Sequence, residues 1–134
     1  NDMIEAAKTH KHAVVIGGGL LGLEAANGLK IQGMEVTVVH KNDWLLERQL
    51  DKTAGVMLQK SLEAKGLSFL LNKNTEQLID DGKGRVKAVR FADGLEIPAD
   101  LVVMAVGIRP NFALAESAGI HCNRGIVVND TMQT

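Results

Sequence analysis

The chain has 134 residues, 46% of them hydrophobic but only four aromatic, with 14 glycines, one cysteine and a formal charge of −1. A charge so balanced and so few rings argue against a nucleic-acid partner, which needs a basic field or stacking platforms. Lone Cys122 excludes an internal disulfide framework and a thiolate metal cluster and fits a reducing compartment. The longest apolar run, Leu101 to Val106, is far short of the roughly 20 residues of a membrane span. Residues 1–12 are polar with isolated apolar positions and show no signal-peptide pattern, so one cytosolic domain is expected.

Ala13-Val14-Val15-Ile16 is a β-branched run that stops at Gly17, and Leu20, Leu21, Ala25 and Leu29 then recur at helical spacing until Gly33. Val36 to Val39 shows no polar alternation, which predicts a strand covered on both faces of a parallel sheet. Leu50, Ala54, Met57, Leu58 and Leu62 repeat with a 3.6-residue period up to Gly66, and Leu67 to Leu71 predicts a third buried strand. These pieces make a βαβαβ half of a doubly wound fold. Thr75 to Ile79, Arg85 to Phe91 and Leu95 to Ile97 are short segments separated by Asp80-Asp81-Gly82-Lys83-Gly84 and by Asp93-Gly94. Too short and too close for helical crossovers, they predict an antiparallel meander. Leu101 to Val106 returns as a fourth parallel strand, Asn111 to Ala118 as a helical turn or two, and Ile126 to Val128 as one more strand. The expected class is α/β: a Rossmann-type parallel sheet with helices on both faces and a three-stranded antiparallel meander.

Gly17-Gly18-Gly19-Leu20-Leu21-Gly22 satisfies G-x-G-x-x-G after a predicted strand and before a predicted helix, the context this fingerprint requires. Gly17 permits the tight turn, Gly19 has no Cβ to hold a pyrophosphate away from the backbone, and Gly22 lets helix and strand approach. Free N–H groups and the helix dipole then face the phosphates. The usual ribose carboxylate, about 20 residues on, is replaced by His40-Lys41, which leaves NADH against NADPH open and speaks against an FAD site. The plain reading of that pair is a solvated strand end. Glu24 is placed in the first helical turn, where the dipole favours a carboxylate, although it also suits the far end of a dinucleotide.

Gly17 to Ala26 (GGGLLGLEAA) resembles the nicotinamide-binding signature of the pyridine nucleotide-disulfide oxidoreductase superfamily, and Asp100 to Asn111 (DLVVMAVGIRPN) resembles its second strand-loop motif. More narrowly, residues 36–55 and 122–134 resemble the large subunits of NAD(P)H-dependent nitrite reductases. The resemblance implies that Gly17, Gly18, Gly19, Leu20, Leu21, Gly22 and Glu24 line the dinucleotide. It places His40 and Lys41 at the ribose-selecting position and Gly107 near the nicotinamide. Leu20 stands where relatives often carry a gating aromatic. NADH is the favoured donor by resemblance, hydride passes to FAD, and electrons continue through an iron-sulfur cluster to siroheme, where nitrite becomes ammonia. This chain has one glycine fingerprint and no cysteine set, so residues 1–134 are expected to be a single NAD(P)H domain excised from a larger flavoprotein. Its partners are then the dinucleotide and the FAD domain, with a homo-oligomer left open. The rivals are the same domain from a rubredoxin or ferredoxin reductase and a dinucleotide-sensing module without hydride transfer.

Three further features carry no assigned chemistry. Cys122 reads as a plain thiol, and His10 and His12 lack neighbouring ligands at metal-binding spacing. Trp44, with Leu45 and Leu46, is expected to anchor the loop after the second strand.

Overall fold

A computed structural model describes residues 2–134; Asn1, which opens the polar stretch noted above, lies outside the described residues. The elements are α1 (Asp2–Thr9), β1 (His12–Ile16), α2 (Leu20–Ile31), β2 (Glu35–Val39), α3 (Lys52–Ala64), β3 (Ser68–Leu70), β4 (Thr75–Asp80), β5 (Val86–Phe91), β6 (Glu96–Pro98), β7 (Leu101–Met104) and α4 (Ala113–Ser117). β3, β2, β1 and β7 form a parallel sheet in that order, and β4, β5 and β6 form an antiparallel one. Helix ends follow local chemistry. Asp51 Oδ1 accepts the Ala54 N–H at 2.9 Å to cap α3. At its other end the Gly66 and Leu67 N–H groups return to the Glu63 and Leu62 carbonyls, and Gly33 and Met34 close α2 in the same way.

Topology decides which layer covers which face. β1, β2 and β3 advance in one direction across the sheet, so right-handed crossovers put α2 and α3 on the same side. Leu23, Ala26 and Leu29 of α2, Leu58 and Leu62 of α3 and Ala7 of α1 all join Ala13, Val15, Val36 and Val38 in one cluster. From β3 the chain reverses across the whole sheet to β7, and its crossover lies on the opposite face. That crossover is the meander, whose Val89, Phe91 and Ala99 cover Val14, Ile16 and Val39. The parallel sheet and meander are as expected from the sequence; α1, α2 and α3 cover one face of the sheet, and the meander covers the other. Phe91 and Val89 are fully buried, each contributing about 1.5–3 kcal/mol of transfer free energy to that packing.

Two local expectations are revised, and one element was not anticipated. Residues 2–9 of the polar opening stretch form α1, which packs Ala7 against the core and leaves Met3 and Ile4 exposed. β7 stops at Met104, with one more ladder bond from the Ala105 N–H to the Ile16 carbonyl at 2.8 Å. Ile126 to Val128 is not a strand; an isolated Cys122–Ile126 bridge is all that forms, and the three side chains stay exposed. Among the described residues no helix is long and apolar enough to cross a membrane.

Candidate functional site

The order β3-β2-β1-β7 places the reversal of strand order between β1 and β7, and ligands of open α/β sheets bind outside the carboxyl ends of the strands at such a point. The glycine loop leaves β1 there, and the loop that carries Gly107 leaves β7 beside it. Gly17 has φ +119°, and a Cβ on it would stand 2.3 Å from the Ala105 carbonyl oxygen. Only glycine meets both demands. Gly22 is equally constrained by packing, because its Cβ would fall 1.9 Å from the Gly17 oxygen. Gly19 is the opposite case. It is extended (φ −85°, ψ −178°), and a Cβ on it would meet nothing within 4 Å.

Hydrogen bonding shows what this open space faces. The Gly17 N–H is used by the Val39 carbonyl at 2.8 Å, and the Gly18 N–H by His40 Nδ1 at 3.1 Å. The first backbone bond of α2 runs from Leu23 to the Gly19 carbonyl, and Gly19 supplies no side-chain cap. The N–H groups of Gly19, Leu20, Leu21 and Gly22 therefore have no acceptor among the described residues. Four unpaired donors at the positive end of a helix, beside a position stripped of its Cβ, fit the pyrophosphate of a dinucleotide. Leu20 and Leu21 are exposed at the same end.

Gly18 was read from the sequence only as part of the fingerprint, and packing gives it a distinct reason. Its Cβ would stand 2.7 Å from Leu45 Cδ2 and 2.9 Å from His40 Cγ. The loop after β2 thus presses on the glycine loop, and the Leu46 N–H also bonds the Gly18 carbonyl at 3.1 Å. Leu45 and Leu46 are buried, and Trp44 Nε1 donates to the Leu50 carbonyl at 3.1 Å, so this segment anchors the loop as expected.

His40 and Lys41 part company. Lys41 is exposed, whereas His40 is only 6% exposed, which removes the reading of a solvated strand end. Its ring is occupied at both nitrogens: Nδ1 accepts from Gly18, and Nε2 lies 3.0 Å from Glu47 Oε2. Glu47 Oε1 accepts from Asn42 Nδ2 at 2.8 Å. Burial pushes the Glu47 carboxyl up, but its own backbone N–H, the His40 ring and the Asn42 amide outweigh this and hold it below the usual carboxylate range. Sequence reasoning missed Glu47, whose only signal was an acidic residue in an otherwise anchoring loop.

Glu24 lies one turn deeper than expected. α2 starts at Leu20 and has no acidic residue in its first turn, so Glu24 sits in the second turn, exposed. Gly107 has φ +121° with nothing within 4 Å of a Cβ, so backbone conformation and not crowding demands glycine there. Cys122 is half-buried with its Sγ 3.4 Å from the Ile120 carbonyl, and no group of three or more metal ligands occurs among the described residues.

The parallel sheet, the meander and the glycine loop after β1 define an open α/β domain of Rossmann type, and comparison with known proteins gives its family. The chain belongs to the pyridine nucleotide-disulphide oxidoreductase family, whose profile matches residues 1–134. It is 59% identical over 132 residues to nitrite reductase [NAD(P)H] of Bacillus subtilis (strain 168), covering 98% of this chain and 16% of that protein. Against the assimilatory nitrate reductase electron transfer subunit of the same organism, identity is 50%, again over 98% of this chain and over 17% of the relative. The chain thus spans about a sixth of these curated relatives. Among solved structures, a ferredoxin reductase for the CYP199A2 system from Rhodopseudomonas palustris superposes with a TM-score of 0.84 at 31% identity, covering 92% of this chain and 30% of that one.

Proposed function

We propose that this chain is the electron-entry module of an NAD(P)H-dependent nitrite reductase large subunit: it binds NADH and presents the nicotinamide to a flavin held elsewhere in a longer protein. The observation that carries the proposal is the open cradle at Gly19, with the four unpaired N–H groups of residues 19–22 around it. The narrower assignment to nitrite reduction draws on the 59% identity to a nitrite reductase.

When bound, NAD(P)H supplies a hydride. The residues of this chain bind and orient it. The N–H groups of Gly19 to Gly22 donate to pyrophosphate oxygens, and Gly19 lets the backbone approach them. The Gly107 loop flanks the nicotinamide end, and Leu20 and Leu21 present apolar surface where α2 begins. FAD, the iron-sulfur cluster, siroheme and the reduction of nitrite to ammonia belong to the longer protein on this reading. A second reading, entry module of a ferredoxin-type reductase, has the likeness to the ferredoxin reductase in its favour.

In the longer protein, Gly19→Val should stop NADH-driven nitrite reduction while sparing reduction driven by a dithionite-reduced dye, which bypasses the nucleotide. Loss of both activities, or of neither, would overturn the assignment.

A further inference from the structure

The end of β2, where dinucleotide folds usually place a carboxylate for the adenosine ribose, carries His40 instead. A carboxylate nevertheless reaches that corner from the following loop. Gly18 donates to Nδ1 of His40, which makes Nδ1 the acceptor and leaves the ring proton on Nε2. Nε2 then donates to Glu47 Oε2 at 3.0 Å. The imidazole is thus a spacer of fixed length between glycine loop and carboxylate. Asn42 holds the second oxygen at 2.8 Å, and the Leu46 bond to the Gly18 carbonyl ties down the residue next to Glu47.

We propose that Glu47 is the residue that recognises the adenosine ribose hydroxyls and rejects a 2′-phosphate, with His40 as its positioning residue. The inference rests on the dinucleotide reading above. The Glu47 carboxylate accepts one side-chain bond on each oxygen and one from its own backbone N–H, which leaves a lone pair for a ribose hydroxyl, and 24% of its side chain remains open to solvent. Its side-chain partners are the His40 ring and the Asn42 amide, and the ionised carboxylate presents its negative charge toward whatever binds beside it. Neighbouring Lys41 is exposed and favours a phosphate, so Glu47 sets the sign of the discrimination.

The test is calorimetric titration of the 134-residue chain with NADH and NADPH at neutral pH. The parent should favour NADH, and Glu47→Gln should shrink the NADH/NADPH affinity ratio by about tenfold, the equivalent of about 1.4 kcal/mol for a like-charge contact near a protein surface. Glu47→Asp, which keeps the charge, should keep the preference and shows that an altered ratio is not a folding defect. His40→Leu should lose the preference, and His40→Gln, which can still accept from Gly18 and donate to Glu47, should retain most of it. A ratio unchanged in Glu47→Gln with both nucleotides still bound overturns Glu47 as the selector and leaves the dinucleotide site standing. A parent that binds neither nucleotide overturns both.

Discussion

Replacing Gly22 by alanine adds one methyl to a helix, a change that in an exposed helix interior stabilises by about 1 kcal/mol. At this position the same methyl would lie 1.9 Å from the Gly17 oxygen and 3.0 Å from its carbonyl carbon. Carbon and carbonyl oxygen settle at about 3.3 Å or more, so the start of α2 has to move by over about 1 Å. Neither neighbour is a side chain that can rotate away: the clash is with backbone, held by the Gly17 bond to Val39 at 2.8 Å. Overpacking typically costs about 1–3 kcal/mol, and a rigid neighbour puts this site at the upper end. Net of the propensity gain, Gly22→Ala should destabilise by about 1–2 kcal/mol, a fall in Tm of roughly 4–7 °C for a chain of this size. Gly19→Ala is the matched control, with the same methyl three residues away, no atom within 4 Å and a φ that alanine adopts freely. It should melt within about 2 °C of the parent. Thermal and urea unfolding of the three proteins by far-UV circular dichroism reads the difference. A Gly22→Ala variant as stable as the parent, or Gly19→Ala equally damaged, would refute the argument.

Gly19→Val should abolish NADH binding with little change in melting temperature; a variant still stabilised thermally by NADH would place the phosphates elsewhere. Gly107→Ala forces a Cβ into φ +121° and should cost about 1–2 kcal/mol. It should also weaken NADH more than ADP-ribose in competition titrations, and equal losses would set Gly107 apart from the nicotinamide. The chain should purify colourless, so stoichiometric bound flavin in an absorbance spectrum would contradict the single-nucleotide reading. Asp100 accepts the His12 and Lys11 N–H groups at 2.8 and 3.0 Å, and these bonds, that from His12 foremost, hold its carboxyl below the usual range. A depressed carboxyl stabilises the fold above its ordinary pKa and loses that contribution as pH falls through the folded value. Asp100→Asn should therefore be less stable than the parent at pH 7 by about 1–2 kcal/mol, with the gap narrowing in urea titrations as pH falls below the ordinary carboxylate range.

Local features were legible where backbone chemistry fixes them. The turn at Gly17, the crowding at Gly22 and the helix stop at Gly66 each depend on a missing Cβ or on an unusual φ, and sequence displays both as glycine. The βαβαβ order was legible because period and β-branching changed together at each boundary. The facing of the layers was not, since it depends on the direction in which strands are added and not on any one segment. Ile126 to Val128 has a strand's composition without a strand's partner, and composition alone cannot supply a sheet edge. His40 misled for a related reason: a polar ring at a strand end looks solvated until both its nitrogens are seen to be bonded. Glu47 was invisible because its neighbour in space is fixed by the loop's path, not by spacing along the chain.

Gly18 is held from both sides, its N–H by His40 and its carbonyl by Leu46. The loop therefore behaves as a mould cast before the ligand arrives. A flexible loop of this length would surrender roughly 1–2 kcal/mol of backbone entropy per residue on closing around phosphate, and a fixed one has already done so during folding. Encounter should then be limited by diffusion and orientation, and differences in affinity among variants outside the loop should surface in how long the nucleotide stays. On the proposed dinucleotide reading, a change at His40 alters the shape of the phosphate cradle without touching a phosphate.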